Sequence, residues 1–213
     1  TINSLATQQT LQFSGSSPYT SPTAAIGQGT LTLNLGTWDA SGSAFTNKST
    51  PVTHTVTVDA NNNTLQGLAS SINALTDISA SVLQTSAGVY SLVVKSPMGE
   101  DNAIQITTAD SDLFDFRADP TISGTPSNAQ KQAASDAELI VDGITIKRTS
   151  NSISNIFSGY TLDLKGETDT LTPANFNVTS SLDVDSAFNN AQNLVDRLNL
   201  TRNYFDELMD RGI

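Results

Sequence analysis

The residue types able to do chemistry are few in this chain and poorly assembled for it. One histidine, His54, stands in a Thr-His-Thr run, and there is no cysteine. A zinc centre would have to draw almost wholly on carboxylates, which that metal rarely does. His54 is read as a polar, solvent-facing residue of an alternating strand. Serines are plentiful, but a serine nucleophile needs a base beside it, and His54 lies in no G-x-S-x-G setting. Asp59, Asn61 and Asn63 imitate the opening ligands of a calcium loop, yet the sixth position is Thr64 rather than glycine and the twelfth is Ser70 rather than glutamate. That run is read as a turn leading into a helix. Asp110, Asp112, Asp115 and Asp119 are candidates to gather around a divalent cation, with Leu113, Phe114 and Phe116 holding their loop against a core; a solvated acidic loop is the preferred reading. Glycosidase-type carboxylates converge in space and leave no spacing to read, and the phosphate-loop and dinucleotide fingerprints are absent. The expectation is no enzyme, no catalytic, cofactor-binding or metal residue, and no cofactor.

The elements around these residues read mainly as strands. Serine and threonine make up roughly a quarter of the chain, a composition suited to half-exposed antiparallel sheet. Leu31, Leu33 and Leu35 alternate with Thr30, Thr32 and Asn34, and Val56 and Val58 alternate with Thr55 and Thr57. A helix is expected from about Leu65 to Leu75, capped by Asn63 or Thr64, with Leu65, Leu68, Ile72 and Leu75 at helical spacing. A hairpin over 78–85 and 89–95 turns at Ala87-Gly88, and Ile104 and Ile106 add a strand. Pro120, Gly124 and Pro126 interrupt a polar run without a period, which places a domain edge near Ala118. The longest helix runs from Asp185 to Arg211, with Phe188, Ala191, Val195, Leu198, Phe205 and Met209 forming one apolar stripe that something must cover.

A net charge of −11 argues against a nucleic-acid partner or an anionic membrane surface. No apolar run approaches the roughly 18 residues of a spanning helix, so no membrane insertion is expected. Trp38, Tyr19 and Tyr160 are all the sequence offers as an aromatic platform for a glycan, and Trp38 reads better as a half-buried module residue.

The most specified stretch is residues 136–165. Ala137, Leu139 and Val141 alternate into Asp142-Gly143, a dipeptide that favours a two-residue turn with positive φ. That corner sets Val141 opposite Ile144, Leu139 opposite Ile146 and Glu138 opposite Lys147, with apolar pairs on one face and opposite charges on the other. Ile153 and Ile156 follow as apolar anchors, and a third strand is expected through Tyr160, Leu162 and Leu164.

This block, DAELIVDGITIKRTSNSISNIFSGYTLDLKG, resembles the C-terminal region of the flagellar hook-associated protein 2 family, which caps the filament. Ile2 to Ala6 with Gln8-Gln9 looks like the family's approach to its outer domains. Thr64 to Ala74, with 78–82 and 90–94 after it, looks like the helix-and-hairpin motif of flagellar axial proteins. The resemblance implies a mainly β fold with α+β character: two antiparallel β-rich modules, one inserted in the other, plus a C-terminal helix of a helical leg domain. Residues 1–28 and 119–181 would form one module, 29–118 the inserted one, and 182–213 the start of the leg. The chain would then be a central fragment, its stripe packing on the family's N-terminal helical region. Function, by resemblance, is structural: a homo-oligomeric ring at the tip of the extracellular filament, exported without a cleaved signal peptide, with flagellin as partner. The alternatives are an adhesin for host mucin or glycan and another axial protein, such as a hook-filament junction protein.

Overall fold

The structure, a computed structural model, describes residues 1–39, 41–119, 130–168 and 184–212, with residues 184–187 described by backbone alone. It divides into two compact units, residues 1–174 and 175–213.

Alternation at period two builds the larger core of the first unit. Along β3 (Gly29–Trp38), Leu31, Leu33 and Leu35 are buried while Thr32 and Asn34 stay half-exposed, because successive strand side chains point to opposite faces. β3 pairs antiparallel with β4 (Phe45–Asn47), β5 (Thr53–Val58) and β8 (Ala103–Thr107). A second antiparallel sheet runs in the order β6 (Ser79–Ser86), β7 (Val89–Met98), β2 (Gln8–Phe13), β9 (Gln130–Gln132). Leu11, Phe13, Leu92 and Val94 from this sheet join the leucines of β3 in one core.

Helix α1 (Leu65–Asn73) buries Leu65, Leu68, Ala69 and Ile72 in that core, the stripe its spacing dictates. Thr64 starts it, with its hydroxyl oxygen accepting from the Gly67 N–H at 3.0 Å, a cap worth about 1 kcal/mol. Asn73 ends it by turning its amide onto β6: Nδ2 donates to the Ala80 carbonyl at 2.7 Å and Oδ1 accepts from the Ala80 N–H at 2.8 Å.

A smaller core is built by β1 (Ile2–Ser4), β10 (Ala137–Val141) and β11 (Ile144–Arg148), in the order β1-β10-β11. Val141 pairs with Ile144, Leu139 with Ile146 and Glu138 with Lys147. At the corner between β10 and β11, Asp142 has φ 50° and Gly143 φ 82°, both in the left-handed region that two-residue hairpins require. β12 (Ser152–Ile153) pairs with β13 (Leu162–Asp163), and Ala6, Ala137, Leu139, Ile153 and Leu164 are buried together.

Three expectations differ from this arrangement. Residues 8–28, expected with the hairpin block, lie instead with the larger core: β2 pairs with β7 and β9, and Tyr19 and Ile26 pack against the same cluster. Only residues 1–7 of that stretch reach the smaller core. The reason is that alternation fixes which face of β2 is apolar but not which strand it joins. Likewise β9, expected with the smaller module, pairs with β2. The third strand of the hairpin block is also shorter: Tyr160 stands exposed beside a turn closed by its N–H on the Phe157 carbonyl, and only Leu162–Asp163 pair. Pro120, Gly124 and Pro126, and the expected module edge at 181, lie outside the described residues.

The second unit contributes helix α2 (Val184–Asp210). Phe188, Val195, Leu198, Phe205 and Met209 are exposed along it, Met209 to 78%, and Ala191 is exposed as well.

Candidate functional site

The residues with chemical potential do not converge. Asp110 Oδ2 accepts from the Thr30 N–H at 2.7 Å, and Asp115 Oδ2 accepts from the Ser16 N–H at 2.9 Å and the Ser16 hydroxyl at 3.1 Å. Asp119 is buried and accepts from Gln105 Nε2 at 2.8 Å. Asp112 abuts Gly27 so closely that a Cβ there would collide with it. The carboxylates of Asp110, Asp115 and Asp119 thus tie the loop to three different neighbours, and Asp112 meets Gly27 through its Cβ and backbone. Between them Leu113 and Phe116 are buried, and the Arg117 guanidinium lies 3.8 Å from the centroid of the Phe114 ring, a cation–π contact. Among the described residues no group of three histidine or acidic side chains is placed to hold a metal ion.

His54 departs from expectation. Positions 54, 56 and 58 share one face of β5, so His54 points the way of the buried Val56 and Val58, and its Nε2 is buried without a hydrogen-bond partner. The valine alternation that marks the strand already carried this information, since period two groups residue 54 with the valines.

Asp59 and its neighbours form a turn. Asp59 Oδ1 accepts from the Asn61 N–H and Asn62 Oδ1 from the Asp59 N–H, both at 2.7 Å. Asp39 is held in a similar loop, where the hydroxyls of Ser41 and Ser43, with backbone N–H groups, lower its carboxyl to about 2. The three aromatic candidates are dispersed in their contacts: the half-buried Trp38 packs on Phe45 at 4.8 Å, Tyr19 stacks on Phe116 at 6.1 Å, and Tyr160 lies exposed.

Where side chains do converge is the seam between the two cores. The chain crosses it twice, at Thr7 and at Ser135, and these residues form an antiparallel bridge with backbone bonds of 2.9 and 3.2 Å. The Thr7 carbonyl also accepts from the Gly99 N–H, and Asp136 Oδ1 accepts from the Glu100 N–H at 2.8 Å. Asn151 is the central clamp: Oδ1 accepts from the Ala6 N–H at 2.7 Å, and Nδ2 donates to the Ala6 carbonyl at 2.9 Å and faces the Met98 sulfur at 3.8 Å. Beside the seam lies a polar cleft of about 300 Å³ lined by Ser4, Glu100, Ser135, Asp136, Glu138 and Lys147, with Lys147 and Glu138 paired at 3.7 Å. Asn151 was not singled out from the sequence. Its one signal is an amide in the polar run Arg148-Thr149-Ser150-Asn151 that follows the hairpin, where side-chain amides stand in for strand partners.

The arrangement therefore offers surfaces and a hydrogen-bonded seam, and comparison with known proteins gives them a context. A family model for the flagellar hook-associated protein 2 C-terminus matches residues 134–211, the hairpin block through α2. The B-type flagellar hook-associated protein 2 of Pseudomonas aeruginosa is 25% identical over 165 residues, covering 71% of this chain and 34% of that protein. The flagellar hook-associated protein 2 of Salmonella typhimurium is 30% identical over 111 residues, covering 51% and 24%. The chain thus spans between a quarter and about a third of these relatives' length. In fold it matches the crystal structure of the D2-D3 domains of the flagellar cap protein FliD from Serratia marcescens, with TM-score 0.67, 27% identity, and coverage of 81% of this chain and 88% of that one. In family model, sequence and fold alike, this chain is similar to flagellar hook-associated protein 2.

Proposed function

We propose that the chain supplies outer domains of the cap at the tip of a bacterial flagellar filament. In that role the whole protein assembles into a homo-oligomeric ring, and exported flagellin folds and joins the filament beneath it. The observation that carries this reading is the match in fold to the D2-D3 domains of a flagellar cap protein over 81% of the chain. The dispersal of the acidic residues into loop ties agrees with it, because such work asks for shaped surfaces and joints rather than a reactive side chain. We read the cores of 1–7 with 133–168 and of 8–132 as the two outer modules, nested one within the other. The stripe of α2, from Phe188 and Ala191 through Val195, Leu198 and Phe205 to Met209, then packs in a helical leg. The test is complementation. A strain deleted for the whole gene should release unpolymerised flagellin and regain filaments when the gene returns, and should fail to regain them when residues 136–165 are scrambled. Normal filaments in the deletion strain would overturn the proposal.

A further inference from the structure

β6 lies at one end of its sheet. Among the described residues it has β7 on one side and no strand on the other. The Asn73 amide occupies the N–H and C=O of Ala80 on the open side, and alternation then aims the N–H and C=O of Val82 and Gln84 outward too. The neighbouring strand agrees, since the Tyr90 N–H, opposite Gln84, turns away from β6 to the Tyr19 carbonyl. Sheet edges are ordinarily guarded by charge, proline or a covering element. β11 carries Lys147 and Arg148 on its edge, but β6, Ser-Ala-Ser-Val-Leu-Gln-Thr-Ser, has neither charge nor proline. In a chain of net charge −11 this is a stretch that adds no charge of its own to a contact between two copies. Leu83 projects from it, 49% exposed.

We propose that this edge pairs with the same edge of a second copy, antiparallel about a two-fold axis at Leu83. Val82 then faces Gln84 of the other copy and Gln84 faces its Val82, in about four hydrogen bonds. The two Leu83 side chains meet across the axis as a non-hydrogen-bonded pair, the closer kind. Asn73 stops the ladder at Ala80. So short a contact buries less than a stable dimer needs, which makes the association reversible and dependent on concentration. The proposal is independent of the cap reading, which stands or falls on filament growth.

The experiment is sedimentation equilibrium of the 213-residue chain up to about millimolar concentration, a range set by the arithmetic of weak association, with a thiol trap. Leu83→Cys introduces the single cysteine, and the expected Cα separation across the axis, about 4.5 Å, lies within disulfide reach. With oxidised glutathione it should cross-link at least roughly tenfold faster than Thr85→Cys, which faces Ser81 rather than itself, a gap that about 1.4 kcal/mol of orientation supplies. Gln84→Pro should abolish the dimer while leaving the melting curve cooperative. A strict monomer, equal cross-linking of the two thiol variants, or a dimer indifferent to Gln84→Pro would overturn the proposal; the last would place association on the apolar stripe of α2.

Discussion

Gly143 holds φ 82° with nothing within 4 Å of where a Cβ would sit, so a side chain there meets strain from the backbone alone. Gly143→Val should cost about 1–2 kcal/mol and lower the melting temperature of residues 1–174, while Gly143→Asn should cost less because asparagine tolerates the left-handed region. Asn151 works through donors and acceptors instead. Asn151→Ala leaves the N–H and C=O of the buried Ala6 without their partner, and about 1–3 kcal/mol should be lost in urea denaturation; Asn151→Asp, which keeps the acceptor but not the donor, should fall between. Tyr19 gives a pH signature. Burial, and after it the Asp115 carboxylate, push its phenol from 10.0 up to about 12. Because the folded value is the higher, the stabilisation is complete below pH 10 and is lost as the pH rises through about 12. Tyr19 should ionise late in an absorbance titration at alkaline pH, and Tyr19→Phe should remove both that late step and its share of the alkaline destabilisation. His54 teaches the opposite lesson: its side-chain type suggested solvent, while its position in the alternation placed it with Val56 and Val58.

Strands and helices were legible wherever their own period fixed them. The leucines of β3, the stripe of α1 and the register of Leu139 on Ile146 follow from residues close in sequence and from a turn with few conformations. Partnership between distant strands was not. β2 carries an unambiguous apolar face, yet its neighbours, β7 and β9, lie some eighty and over a hundred residues further along the chain, and no local rule of pairing chooses them. The dispersal of Asp110, Asp112, Asp115 and Asp119 was legible only as the plainer of two readings, because the groups they hold, Thr30, Ser16 and Gln105, become neighbours only once the sheets are assembled. The clamp from Asn73 to Ala80 depends on the same assembly, since the amide must meet an edge that forms seven residues later.

The two compact units make a separable prediction. Removing residues 175–213 should leave the urea midpoint and the thermal transition of residues 1–174 unchanged within about 0.5 kcal/mol, because that unit contains both cores. The released helix, with an exposed apolar stripe, should lose much of its circular-dichroism signal when isolated. A large fall in the stability of residues 1–174 on truncation would show that α2 contributes to its cores.

The paired crossings at Thr7 and Ser135 have an architectural meaning of their own. The chain leaves the smaller core at Thr7 and returns to it at Ser135 through two backbone segments that touch each other, so the two ends of the segment between them are held side by side, with Glu100 bonded to Asp136 beside them. Evolution can enlarge, trim or exchange such a segment while the hairpin beneath keeps its register, provided the two ends stay a bridge apart. The segment between the two ends is thereby free to vary without redesign of its footing.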